Sequence, residues 1–367
     1  MPFRTRNAGW EGEVSVMTWL IDGHEDLAWN ALSLGRDETL PLAEIRRREG
    51  AQPAHGEGTA TVSLPSLRAA DVRVVLATVF TYPQRAGGDG KGYRTPEEAF
   101  AQAGAQLDYY HRLHQEGQVA LIGTRSELEQ AILRQTLMPG LLLLMENADP
   151  IRRPHDLATF VARGVRIVGL AWKGTRYAGG TGEPGPLTED GRALLREMDR
   201  LSVALDVSHL AEEAFWQAME VFHGSVIASH ADCRAITPGD RQLSDEMIRA
   251  IAARDGVIGL VLYNRFLRPG WTPAMGKDAV TFADVLAHAQ HIAALVGIRH
   301  VAIGSDLDGG VGRETVPREI DSVEDLPKFA DVLAGAGYDR DAQTGVLAEN
   351  WLRVLRRILP EEPATST

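Results

Sequence analysis

The stretch VALDVSHLAEEAFWQAMEVFHGSVIASH (203–230) reads as strand, helix, strand, and each strand ends in a histidine, His209 and His230. The spacing between them suits one helix and one returning strand. Two parallel neighbours need such a crossover, so the two histidines are expected side by side at the same end of a sheet. Outward from this unit the pattern repeats. Apolar, largely β-branched runs occur at VMTWLIDGH (16–24), VRVVLATVF (72–80), GLLLLMEN (140–147), VRIVGLAW (165–172), GVIGLVLY (256–263) and HVAIGSD (300–306). Amphipathic segments such as EDGRALLREMDRL (189–201), SDEMIRAIAARD (244–255) and FADVLAHAQHIAALVG (282–297) lie between them. Continuous apolar runs are strands buried on both faces, and helical crossovers make them parallel. Eight such strands predict an α/β fold, a (β/α)8 TIM-type barrel of metal-dependent-hydrolase type. It is expected to occupy residues 1–360 as a single catalytic domain, with a short polar tail at 361–367. An open doubly wound sheet is the alternative. A further run, VALIGT (119–124), reads as part of an insertion between the second and third barrel strands. The Gly-rich loops 84–95 and 173–187 are expected to border the site.

The bulk composition narrows the function. The chain has 367 residues, 44% hydrophobic and 24% charged, which is ample for a large core. Its formal charge of −12 speaks against nucleic acid or an anionic membrane surface as partner. One cysteine, Cys233, excludes an intrachain disulfide and a cysteine-based zinc cluster. No apolar run approaches a membrane span, and the first residues lack a signal-peptide core. A cytoplasmic location is therefore the expectation.

Polar residues fall at one end of the apolar runs: His24, Glu146, His209, His230 and Asp306 each close a run on its C-terminal side. A barrel enzyme places its reactive groups at that rim. His24 and Asp26 form an H-x-D pair, which the strand period of two directs to one side. A carboxylate at Glu146, directly after LLLLM, needs a counter-charge; a bridging position between two cations or a salt bridge to an arginine supplies one. Imidazole with carboxylate suits zinc best, with manganese, cobalt and iron as alternatives. Asp306, in GSDLDG, reads as a proton-transfer group, with a third metal ligand or a turn residue as the other readings.

The ordered set of motifs resembles the membrane (renal-type) dipeptidase family, peptidase family M19 of the amidohydrolase superfamily. The likeness lies in DGHEDLAWN (22–30), Glu146-Asn147-Ala148, LDVSHL (205–210), IASHADCRAITPGDRQLSD (227–245), IGSDLDG (303–309) and LAENWLRVL (347–355). The resemblance implies a zinc-dependent dipeptidase with two Zn2+ per chain, His24 and Asp26 on one ion, His209 and His230 on the other, and Glu146 bridging. It further implies attack of a metal-bridging hydroxide on the amide of a small dipeptide. Asp306 serves as the catalytic carboxylate and Arg241 holds the substrate's free carboxylate. By the resemblance alone, a homodimer is expected.

One departure stands out. Where the family has a histidine that binds the substrate carbonyl, this chain has Trp172, followed by Lys173. Trp172 either donates its indole N–H in that place or simply packs, and Lys173 or Arg176 could supply a cation. This leaves two further readings: a related binuclear hydrolase of another amide, a lactone or an ester, and a binding protein without turnover. Other motifs are decoys. Gly180, Gly182 and Gly185 match G-x-G-x-x-G but enclose Pro184 and open no helix, and the glycines before Lys91 lack the remainder of a phosphate-binding loop. His111 and His114, on an expected helix 97–116, read as packing or surface residues.

Overall fold

A computed structural model of the protein describes residues 19–50, 58–84, 92–133 and 138–361. Among these residues, the eight expected runs each contain a strand: β1 Leu20–Glu25, β2 Val72–Val79, β3 Gly140–Met145, β4 Val165–Gly169, β5 Ala204–Asp206, β6 Val226–Ile227, β7 Ile258–Leu260 and β8 Val301–Ile303. Positions 16–18 of the first run, 85–91 of the loop 84–95 and most of the tail lie outside the described residues. Strands β1 to β6 pair in chain order, all parallel, and β7 pairs with β8. The ring closes through a parallel bridge from Ala228 to Ile258 and through the Asp306 N–H, which donates to the His24 carbonyl at 3.2 Å. Sequential order with closure is a barrel; an open doubly wound sheet would reverse strand order partway. The run 119–124 contributes only Ala120–Leu121, which pairs beside the start of β3 off the barrel path, within the insertion expected there.

The alternation within each strand separates two cores. Ile21, Val74, Leu76, Leu142, Leu144, Ile167, Ala204, Ile227 and Ala302 cluster with Trp351 and Leu355 of the last helix, Asn350–Ile358. Their neighbours, such as Val75, Leu141, Leu143 and Val168, join the larger cluster formed with the surrounding helices. The inner row has an apolar floor, and two residues further along each strand it becomes polar: Thr78 after Leu76, Glu146 after Leu144, Asp206 after Ala204, Ser229 after Ile227. This is how a strand period of two sets a polar rim on a packed interior. The strands are tightest beside β6. A Cβ on Gly304 would sit 1.8 Å from the Ser229 carbonyl oxygen, and one on Gly259 would sit 2.1 Å from it, so only glycine fits.

The intervening helices start where capping chemistry allows. Thr95, Thr188 and Ser244 accept backbone N–H groups at the starts of Pro96–Gln115, Glu189–Arg200 and Asp245–Ala253, and Thr281 forms a capping box at Phe282–Val296. The ranges follow the amphipathic segments read from sequence to within a few residues. His111 Nε2 meets the Arg163 carbonyl at 3.0 Å and His114 Nδ1 meets that of Val119 at 3.2 Å, so both serve packing. No helix among the described residues is long and apolar enough to cross a membrane.

Candidate metal centre

Strand β1 runs through His24, but β5, β6 and β8 give out below their polar ends. Strand β6 spans only Val226–Ile227 although its apolar run reaches His230, and β8 stops at Ile303, short of Asp306. Two of the rim residues then take left-handed backbone angles, His209 at φ 63° and Asp306 at φ 57°. Such angles disfavour a side chain bearing a Cβ and persist where surrounding contacts hold them. They turn these side chains out of the ladder and over the barrel mouth.

There the predicted residues meet. Glu146 Oε2 lies 3.6 Å from His24 Nε2, and its Oε1 lies 3.3 Å from His209 Nε2 and 3.6 Å from His230 Nε2. The two latter nitrogens face each other at 2.9 Å. His24, Asp26 and Asp306 form a second group whose ligand atoms lie within 4.8 Å of one another, as do those of His24, Glu146 and His230. All six residues are buried. The structure therefore brings together every sequence-predicted ligand, with His24 common to both groups and Asp306 close enough to ligate.

Hydrogen bonding fixes which nitrogen of each ring faces inward. Ser229 Oγ stands 2.6 Å from Asp206 Oδ2, an acceptor only, so its single hydrogen goes to that carboxylate. Its lone pairs then accept from His24 Nδ1–H at 3.1 Å and His230 Nδ1–H at 2.8 Å. Both Nε2 atoms are left as lone-pair donors aimed at Glu146. Thr181 Oγ1 stands 3.0 Å from His209 Nδ1, and Thr78 bonds Asp26 Oδ1. Buried His24 Nε2 has no hydrogen-bond partner. A buried imidazole nitrogen with a free lone pair, oriented from behind and facing carboxylates, fits a divalent cation.

Electrostatics agree. Burial opposes charge on His24, but the carboxylates of Glu146, Asp306 and Asp26 outweigh it and push its pKa up to about 10. Burial likewise works against ionised Glu146, yet His24 and His209 hold its carboxyl below the usual range. Burial, with the nearby Arg241, lowers His209 to about 4. Without a metal, a proton takes the place of a cation in this cluster.

Ser229, backed by Asp206, and Thr181 contact the candidate ligands from behind. Ser208 Oγ accepts the His230 backbone N–H at 3.1 Å, and the signal of the two serines is the Ser-His pair that closes both runs in sequence, Ser208-His209 and Ser229-His230. Ser229→Ala removes the acceptor for two imidazoles at once. It is expected to weaken metal binding by about 10–100-fold while the fold persists, measurable by competition with a chelator. Gly309 has a comparable place: a Cβ there would stand 1.9 Å from Asp306 Oδ1 and 3.1 Å from Asp26 Oδ2.

Above the cluster opens a cavity of about 430 Å³ lined by Asp26, Glu146, His209, Arg241 and Asp306, and walled by Trp29, Phe80, Tyr82, Trp172, Tyr263 and Phe266. Arg241 is buried; its Nη2 donates to the His230 carbonyl at 2.7 Å, while Nε and Nη1 have no hydrogen-bond partner among the described residues. Its guanidinium lies over Phe266 at 5.1 Å. Trp172 packs its ring against Phe80 at 5.4 Å and Tyr82 at 5.9 Å, and among the described residues nothing accepts its indole N–H. Of the two cations expected after it, Lys173 lines the cavity, whereas Arg176 is engaged by Asp149 and the Arg152 carbonyl. The segment 173–187 forms a wall: Ala178–Gly180 and Glu183–Leu187 pair as an antiparallel hairpin whose turn carries Thr181. The G-x-G-x-x-G match is this hairpin.

With the geometry in place, comparison with known proteins is informative. The sequence profile of the membrane dipeptidase family (peptidase family M19) matches residues 11–364. The chain is 32% identical over 256 residues to an uncharacterised Klebsiella pneumoniae protein encoded in the 5′ region of pqqA, covering 67% of this chain and 91% of that protein. It is 31% identical over 221 residues to dipeptidase aclJ of Aspergillus oryzae, covering 59% of this chain but only about half, 49%, of that relative. A metallopeptidase from Rhodobacter sphaeroides, solved with a phosphinate mimic of L-Ala-D-Ala, superimposes with a TM-score of 0.76 at 24% identity, covering 93% of this chain and 99% of that one. The probable dipeptidase PvdM from Pseudomonas aeruginosa gives 0.74 at 17% identity, covering 93% and 95%. The barrel, the rim residues and the profile match over nearly the whole chain lead to one conclusion: the protein belongs to the membrane dipeptidase family, peptidase family M19.

Proposed function

We propose that the protein is a zinc-dependent dipeptidase that binds two zinc ions per chain and hydrolyses small dipeptides bearing a free C-terminal carboxylate. The observation that carries this reading is one cavity containing both a histidine–carboxylate cluster and a buried guanidinium with two nitrogens unpartnered among the described residues. In the proposed centre His24 and Asp26 hold one ion, His209 and His230 the other, and Glu146 both. Bound divalent ions supply Lewis acidity and lower the pKa of water. Arg241 pairs with the substrate carboxylate, which sets the scissile amide over Glu146, and the buried carboxyl of Asp306 carries a proton to the leaving amine. The phosphinate dipeptide mimic in the Rhodobacter relative supports a dipeptide as substrate. The proposal extends to a homodimer in the cytoplasm, which sedimentation and cell fractionation test. A second reading, a related hydrolase of lactones or esters, is favoured by Trp172 standing where the family histidine is expected. A panel of L,L- and L,D-dipeptides, esters and lactones offered to zinc-reconstituted protein separates the two, and turnover of lactones with no dipeptide cleaved would refute the first.

Two results are expected. Arg241→Ala raises KM for dipeptides with a free carboxylate by about 10–100-fold, since a charge-assisted pair is lost, and leaves C-terminally amidated analogues nearly unaffected. The second concerns pH. Metal requires neutral His24, whose pKa in the metal-free protein is about 10. Below that pH, binding must displace a proton, so affinity falls as pH falls, by about tenfold per unit for each proton released. Calorimetry between about pH 6 and about pH 9, in buffers of different ionisation enthalpy, reads both the slope and the released proton.

A further inference from the structure

We infer that the cavity selects dipeptides whose N-terminal residue carries a large apolar side chain, and that Trp172 is the residue that decides this. The inference rests on the dipeptidase reading above and adds the substrate class.

The rim is a ring of eight in chain order, so the ends of β2 and β3 lie across the centre from those of β6 and β7, with the ends of β1 and β4 flanking them. Arg241 and Phe266 follow β6 and β7. A dipeptide whose carboxylate sits on Arg241, with its amide over Glu146, therefore extends its N-terminal residue towards the β1–β4 side. That side is aromatic. Phe80 stacks on Tyr82 at 5.6 Å, meets Trp29 edge-on at 6.1 Å and meets Trp172 edge-on at 5.4 Å. Trp172 also reaches the metal cluster, with its ring 6.2 Å from that of His209. It thus links the aromatic wall to the cluster, and it is half-buried and lines the cavity. Edge-to-face aromatic walls of this kind gain most from another ring or a branched aliphatic chain. The charge of the same wall works against cationic side chains, because Lys173 Nζ stands over the Trp172 ring at 5.3 Å. Lys173 would pair with an acidic side chain, whereas Trp29, Phe80, Tyr82 and Trp172 offer mainly ring surface to the cavity.

The test is kcat/KM for Phe-Ala, Leu-Ala, Gly-Ala and Lys-Ala on zinc-reconstituted protein, in the wild type and in Trp172→Ala and Trp172→Phe. The expected ratio of Phe-Ala or Leu-Ala to Gly-Ala is about 10–100 in the wild type, the range a well-filled apolar subsite gives, with Lys-Ala poorest. The ratio falls below about 3 in Trp172→Ala and is largely kept in Trp172→Phe, which retains a ring and controls for collapse of the wall. A flat profile, a preference for Gly-Ala or Lys-Ala, or an unchanged ratio in Trp172→Ala overturns the inference. If no dipeptide is cleaved, it is the dipeptidase reading that fails. Calorimetric binding of Phe-Ala and Gly-Ala then decides the inference: tighter Phe-Ala binding that Trp172→Ala abolishes supports it, and equal binding overturns it.

Discussion

Glu146→Gln is expected to lower kcat/KM by at least about 10³-fold, equivalent to about 4 kcal/mol of transition-state stabilisation, and to reduce bound zinc to less than one ion per chain. The reason is geometric. Both carboxylate oxygens are in use, Oε2 towards His24 at 3.6 Å and Oε1 towards His209 at 3.3 Å and His230 at 3.6 Å. An amide keeps the shape but has no charge and only one acceptor oxygen, so it cannot serve two cations. A readout independent of activity exists. In the metal-free protein Glu146 contributes most to the rise of the His24 pKa to about 10 against burial. In Glu146→Gln that pKa should fall, visible in an NMR titration of the imidazoles. A His24 titration that stays put, or zinc content equal to wild type, would show that Glu146 is peripheral.

Asp306→Asn is expected to lower kcat by about 10²–10⁴-fold with little change in KM. Asp306 is buried at the cavity floor, where burial, reinforced by the neighbouring carboxylates of Asp26 and Glu146, holds its carboxyl well above the ordinary range despite His24 and Arg241. Bound cations reverse this local balance, so the group can release and regain a proton during a cycle. Its backbone is held at φ 57°, and Gly309 makes room for its carboxylate, since a Cβ there would stand 1.9 Å from Oδ1. Because Asp306 also groups with His24 and Asp26 within ligand range, zinc content must be measured in the same variant. Lost activity with intact zinc identifies proton transfer, whereas zinc lost in parallel identifies a ligand.

The barrel is legible in the sequence because each strand is buried on both faces and reads as a continuous apolar run, with amphipathic helices between. The candidate ligands are legible for a related reason: Glu146 continues the row Leu142, Leu144, and a carboxylate has no place there without a counter-charge. Strand ends are less legible. The runs to His209, His230 and Asp306 look like uninterrupted strand, but the ladder stops earlier because the rim residues turn inward, two of them with left-handed angles. Least legible are the groups that act through others. Thr181 sits in a hairpin whose glycines read as a decoy, and its contact with His209 spans 28 residues. Ser229 meets the rings of both its neighbour His230 and the distant His24, and only the first of these contacts is local in sequence. Trp172 is legible as a departure from the family pattern, but its place in an aromatic wall depends on the packing of three separate strand ends.

The most direct test of the central claim is anomalous diffraction at the zinc edge from crystals of zinc-reconstituted protein. Two peaks per chain, one beside His24 and Asp26, the other beside His209 and His230, with Glu146 between them, are the predicted result. A single peak, or zinc bound away from Glu146, would contradict it.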